Sequence, residues 1–172
     1  MEAALDLTAT VLASTLGSVL LLSAVAKLRN FNTFSIVTLG QLGVAARIAP
    51  TTAVTVLVLE AGLAAALATA SYPAAVGLAT AALLTAYVLV GLYAVWLKRP
   101  IPCGCFAGSR MTLGIQTATR AGILALLAGM LTLCSTAGGH PSSGSTLILI
   151  AVFLTTKWLL DWRQLSKPLG WR

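Results

Sequence analysis

Cys103 and Cys105 stand one residue apart in the stretch Pro100-Ile101-Pro102-Cys103-Gly104-Cys105-Phe106, and they are two of the three cysteines in 172 residues. A disulfide needs Cα atoms about 4.4–6.8 Å apart. Residues i and i+2 come within that window when the chain bends, and Gly104 permits bends that other residues resist. The ring closed in this way is small and strained, and strained disulfides are the oxidising, labile ones that suit exchange better than stapling. Pro100 and Pro102 keep a preceding helix from running through the pair. Lys98, Arg99 and Arg110 flank it and favour the thiolate, which is the reactive form. The chemistry these types and this spacing could perform is thiol–disulfide exchange.

Two other readings of the pair stay open. The cysteines could be small packed residues in a loop, or a thiolate pair for copper(I) or zinc. A closed zinc site takes four ligands. The remaining cysteine, Cys134, is expected near the opposite face, some 30 Å away along a helix at about 1.5 Å per residue. His140 belongs to that far side as well, so the chain by itself assembles no metal set.

Glu60 is the second informative residue, a lone carboxylate near the middle of an apolar run. A charge at that depth is costly and faces a partner or a cavity. Arg120 is the favoured partner: counted from the same side, Glu60 is roughly 13 Å deep and Arg120 roughly 10 Å deep. Lys27 is the second candidate, reaching in from the end of the first apolar run. A buried ion pair of this kind could fix helix register, or Glu60 could move the proton that thiol–disulfide exchange requires. Cys134 reads as a packed small residue, His140 as a solvated loop residue, and Gly62, Ala66 and Ala70 as one helix-packing stripe.

The elements that position these residues follow from composition. Apolar residues make up 58% of the chain and charged residues 9%, against about 25% charged in soluble domains. Such a chain cannot cover a water-facing surface. Its apolar runs are about twenty residues long, which matches a hydrocarbon core of about 30 Å, and without alternating strand patterns helices are the way to satisfy the backbone in lipid. The expected architecture is an all-α integral membrane protein in one domain over 1–172, a helical bundle of about five transmembrane helices with a four-helix core. Expected spans are 8–26, 51–70, 74–97, 113–135 and 146–160, with the cysteine loop at 98–112. The stretch 30–50 is too polar to span and predicts an interfacial or re-entrant helix and a turn, with Pro50 opening the next helix. Glu2 and Asp6 make an acidic opening, unlike a cleaved signal peptide.

The net charge of +7 does not point to nucleic acid, because the basic residues sit at helix ends and form no stripe with interleaved aromatics. Anionic lipid headgroups are the expected neighbours. No Lys or Arg occurs before Lys27, between Arg47 and Lys98, or between Arg120 and Lys157, so all fall in alternate connections. That asymmetry predicts an outside N-terminus and a cytoplasmic C-terminus in the cell membrane, with Cys103 and Cys105 on the cytoplasmic side.

The chain resembles the MauE family within the wider DoxX-like membrane proteins. The resemblance is carried by Ala26-Lys27-Leu28-Arg29 with Phe34, by Leu59-Glu60-Ala61-Gly62-Leu63, by Cys103-Gly104-Cys105-Phe106 and by Arg120. One departure is Ala107-Gly108, where the family often has Gly directly after the Phe. The resemblance implies a role in maturing methylamine dehydrogenase or a related redox assembly, with a thioredoxin-like protein as partner. It implies that Cys103 and Cys105 are the redox pair, with Lys27, Glu60 and Arg120 as intramembrane polar landmarks. Extracytoplasmic disulfide work would suit cysteines on the outer side, whereas charge asymmetry puts them inside; a relay of reducing equivalents from a cytoplasmic donor, a loop that dips into the membrane, or the opposite orientation would each reconcile the two.

Three functions compete at this point: a membrane thiol–disulfide redox protein exchanging with a redoxin or a quinone-linked chain, a non-catalytic assembly factor, and a thiolate metal handler. A quinone is the one cofactor that the first admits. Homo-oligomerisation is left open.

Overall fold

The computed structural model describes residues 2–71, 73–98, 114–142, 144–146, 149–151 and 153. The elements are α1 (Glu2–Arg29), a π-helical segment (Thr33–Thr38), the short α2 (Leu39–Gln41), α3 (Ala49–Ala68), α4 (Pro73–Trp96) and α5 (Ile115–Thr136). Four of them, α1, α3, α4 and α5, are long and apolar enough to cross a membrane. No strand occurs among the described residues. The protein is an all-α membrane bundle.

α1 is the central helix, and its sequence explains why. Its buried residues are small or aliphatic (Ala9, Ala13, Leu16, Leu20), and they pack with Ala64 and Leu67 of α3, Leu84 of α4, and Ala128 and Leu131 of α5. The hydroxyls of its first five turns fold back on their own helix: Thr10 donates to the Asp6 carbonyl, Ser14 to Val11 and Ser18 to Ser14. A helix whose polar side chains are satisfied locally can be surrounded by apolar neighbours without orphaned donors.

Contacts fix the directions of the helices. At Gly17 an added Cβ would lie 3.6 Å from the Ala64 carbonyl oxygen and from Leu67 Cβ, while Lys27 pairs with Glu60, so α1 and α3 are antiparallel. Lys27 also meets Tyr87 in the second half of α4, so α4 runs with α1. Gly77 faces Thr132 and Gly91 faces Ala118, which makes α4 and α5 antiparallel. Gly139, just past α5, lies against Leu5. The four long helices therefore alternate in direction. The end of α1, the start of α3, the end of α4 and the start of α5 share one end of the bundle.

Pro50 lies in the first turn of α3, where its missing N–H costs nothing. The polar stretch before it is a compact cover, with Phe34 and Leu39 packed on Ala49 and Ala53. The expected packing stripe on α3 is corrected: Gly62 faces open space, and Ala70 lies beyond the helix with φ 54°. The buried face of α3 is instead Ala53, Glu60, Ala64 and Leu67, because α1 approaches from that side. Residues 144–146, 149–151 and 153 are helical, and Ile150 packs against Gly17. The rest of the expected fifth span lies outside the described residues.

Candidate functional site

Towards the end of the bundle where α1 finishes and α3 begins, four polar side chains converge inside the apolar packing. Lys27, in the last turn of α1, is 1% exposed, and Glu60, in the middle of α3, is 0% exposed. They form a direct ion pair. Ser23, one turn before Lys27 on the same face, accepts from the ammonium at 2.9 Å and donates to Glu60 Oε1 at 3.0 Å. Tyr87 of α4 donates to the same oxygen at 2.5 Å and accepts from Lys27 at 3.3 Å. Each hydroxyl both takes from the ammonium and gives to the carboxylate, so the ring of bonds is closed.

The ring is lopsided. Glu60 Oε1 accepts three hydrogen bonds, while Oε2 is buried with no hydrogen-bond partner among the described residues. The Lys27 ammonium also lies 4.9 Å from the Tyr87 ring centroid and 5.5 Å from that of Phe34. Aromatic faces stabilise a desolvated cation by their quadrupole. Opposite charges, charge-assisted bonds and aromatic faces together offset the desolvation that two isolated ions would suffer here. The π-helical segment matters because it is what brings Phe34 to the ammonium, and wide turns of this kind often occur where a helix serves a site.

Beside the ring is a cavity of about 540 Å³. Lys27, Phe34, Val56, Leu83, Tyr87 and Tyr93 are among its lining residues, which come from α1, the cover segment, α3 and α4. Leu89 and Tyr93, also on its wall, are exposed on the outside of α4. The cavity therefore opens sideways from the bundle, on helices of membrane-spanning length.

Several expected residues are located by this geometry. Glu60 pairs with Lys27, which corrects the preference for Arg120 as its partner. Depth along the membrane normal allowed either one, but adjacency decides: α3 packs along α1, and α5 packs on α4 and α1. Arg120 lies on an exposed face of α5, early in the helix. Cys134 is a free thiol, partly buried and packed against the α1 core, and His140 is exposed. Cys103 and Cys105 lie outside the described residues. Lys98 and Gly114, the described residues on either side of their loop, belong to the end of the bundle nearest the Lys27–Glu60 ring.

Ser23 and Tyr87 were not singled out from the sequence. A signal for Ser23 exists, since it stands four residues before Lys27 and so on the same helical face. Tyr87 carries a weaker one, a phenol in the middle of an apolar span, which usually finds a partner when buried.

Lys27 on α1, Phe34 on the π-helical segment and Glu60 on α3 all fall within the stretch that a known family matches. Residues 5–135 match the family described as methylamine utilisation protein MauE. The chain belongs to the MauE family. No curated protein and no solved structure gives a match. The MauE match takes in all four long helices, the ion-pair ring and the cysteine loop between α4 and α5. It identifies a membrane protein of methylamine utilisation.

Proposed function

We propose that this MauE-family protein is a membrane thiol–disulfide redox protein, exchanging electrons through Cys103 and Cys105 with a thioredoxin-like partner and supporting the maturation of an extracytoplasmic protein. The observation that carries the reading is the Cys103-Gly104-Cys105 pair within a chain matched to MauE across that loop. In the reducing direction, one thiolate attacks a partner disulfide and displaces one partner sulfur. The other cysteine then attacks the mixed disulfide. The partner leaves as a dithiol, and the two electrons it gained are those given up as the Cys103–Cys105 bond forms. The reverse sequence donates a disulfide. Lys98 next to the loop favours the cysteine thiolate, which attacks in the reducing direction and leaves in the reverse one.

Two features of the bundle support this reading. Helices α4 and α5 are locked together, so the two ends of the loop have a fixed base. Exchange also moves protons, and the Lys27–Glu60 ring holds an ammonium, a carboxylate and a phenol at the same end.

The test is redox trapping in intact cells with a membrane-impermeant thiol reagent, before and after reduction. A cycling pair is labelled only after reduction in part of the population, and Cys103→Ser or Cys105→Ser abolishes exchange with the partner. Cysteines that stay reduced in cells, with normal maturation in the double serine variant, would favour the non-catalytic assembly role instead. The same reagent reports which side of the membrane carries the loop; the distribution of Lys and Arg predicts the cytoplasmic side.

A further inference from the structure

The cavity beside the ion-pair ring has no part in the exchange between the cysteines and a partner disulfide, and its chemistry is specific. Its volume of about 540 Å³ is in the range of small-molecule sites, about 300–1,000 Å³. Its wall is almost wholly apolar, with three aromatic rings, Phe34, Tyr87 and Tyr93. Its charged lining group is Lys27, 1% exposed, with the Tyr87 hydroxyl 3.3 Å away. An apolar pocket with a few convergent polar groups is the usual form of a ligand site. Here the polar groups can still be used. The Lys27–Tyr87 bond is longer than the Lys27–Ser23 bond, 3.3 against 2.9 Å, so an incoming acceptor can share the ammonium there.

These features narrow the occupant. A fatty acid or lipid phosphate would place a second anion beside the Glu60 carboxylate, which already neutralises Lys27, and like charges in a low dielectric repel strongly. A plain acyl chain would use neither the aromatic faces nor the ammonium. A neutral, flat ring with a carbonyl acceptor and an apolar tail fits all of them. Entry from the side, past the exposed Leu89 and Tyr93, suits a molecule dissolved in hydrocarbon.

We propose that this cavity is a binding site for an isoprenoid quinone, its ring between Phe34, Tyr87 and Tyr93 and a carbonyl oxygen accepting from Lys27. The site stands on geometry alone; its use as an electron acceptor rests on the thiol reading above. In that use, closing the Cys103–Cys105 bond releases two electrons and two protons, and the quinone takes up both to become the quinol.

The experiment measures saturable binding of a benzoquinone carrying one isoprenoid unit to the purified full-length protein in nanodiscs. The proteins compared are the wild type, Val56→Phe and Leu83→Phe, which fill the cavity from two sides, Tyr87→Phe, and the Cys103→Ser/Cys105→Ser double variant. Helical content and melting temperature are recorded for each. The expected result is one site per chain, with affinity falling about tenfold or more in a folded cavity-filling variant, a change of about 1.4 kcal/mol. Tyr87→Phe weakens binding less, and the double serine variant binds as the wild type does. Wild-type affinity in either folded cavity-filling variant would overturn the proposal. So would equal competition by palmitate, by a phospholipid or by the isoprenoid alcohol lacking the ring. Because the cysteines are absent from the last variant, loss of thiol exchange leaves the quinone result standing, and loss of quinone binding leaves thiol exchange standing.

Discussion

Two helix pairs in this bundle solve the same problem in opposite ways. Between α4 and α5 the backbones nearly touch. Gly77, Thr80, Leu84, Gly91 and Ala94 form the buried face of α4, at spacings of three, four, seven and three residues, which is the heptad pattern of a coiled-coil seam. Facing them are Ala118, Ala121, Ala128 and Leu131. A Cβ at Gly91 would lie 3.1 Å from Ala118 Cβ and 3.2 Å from its nitrogen. Small residues that allow close backbone approach are how helices associate in lipid, where no hydrophobic force distinguishes neighbour from solvent. Between α1 and α3 an ion pair, two hydroxyls and a cavity occupy one end instead. The first pair is built to stay closed. The second carries desolvated charges and empty space, both of which lower stability unless something uses them, so the chemistry of the bundle belongs there.

The sharpest way to break the contrast is to remove one charge. Lys27→Met or Glu60→Leu alone should lower stability by about 3–5 kcal/mol, because the remaining ion stays buried without its partner. The double variant should regain most of that loss. Thermal or denaturant unfolding in a fixed detergent reads all three; equal losses in the single and double variants would mean the ring is not coupled as drawn. A smaller effect is expected at the seam. Gly91→Val forces Ala118 backbone atoms apart and should cost about 1–3 kcal/mol, as overpacking does, while Gly62→Ala on the open face of α3 should be neutral or slightly stabilising. The smallest change expected is a gain. Ala70 holds a left-handed backbone at the end of α3, with φ 54°, where an alanine is strained by about 1 kcal/mol. Ala70→Gly should raise the melting temperature by a few degrees, in keeping with a gain of that size.

The fold was largely legible because the signals were local. Run length and the absence of charge marked the four long helices, and Pro50 marked where α3 starts. Lys27 and Glu60 stood out because ions in apolar runs are rare. The choice between Lys27 and Arg120 was not legible: depth follows from counting residues, whereas the neighbour of a helix depends on how the bundle closes. Gly62 misled for a related reason. A small residue permits close approach, but only the arrangement of the other helices says which side is approached, and α1 came to the face bearing Ala64. The cavity was invisible in sequence, since its wall is assembled from four separate segments and none is unusual alone.

Two backbone amides beyond α5 are held by the first turns of α1. His140 N–H donates to Asp6 Oδ1 at 2.7 Å, and Ser142 N–H donates to Thr10 Oγ1 at 3.1 Å. The opening of the chain thus acts as a clasp on the segment that follows the fourth long helix, just ahead of the stretch where Ile150 meets Gly17 of the central helix. Changes made near residue 6 will be felt at residue 142, far away in sequence but across a single pair of hydrogen bonds.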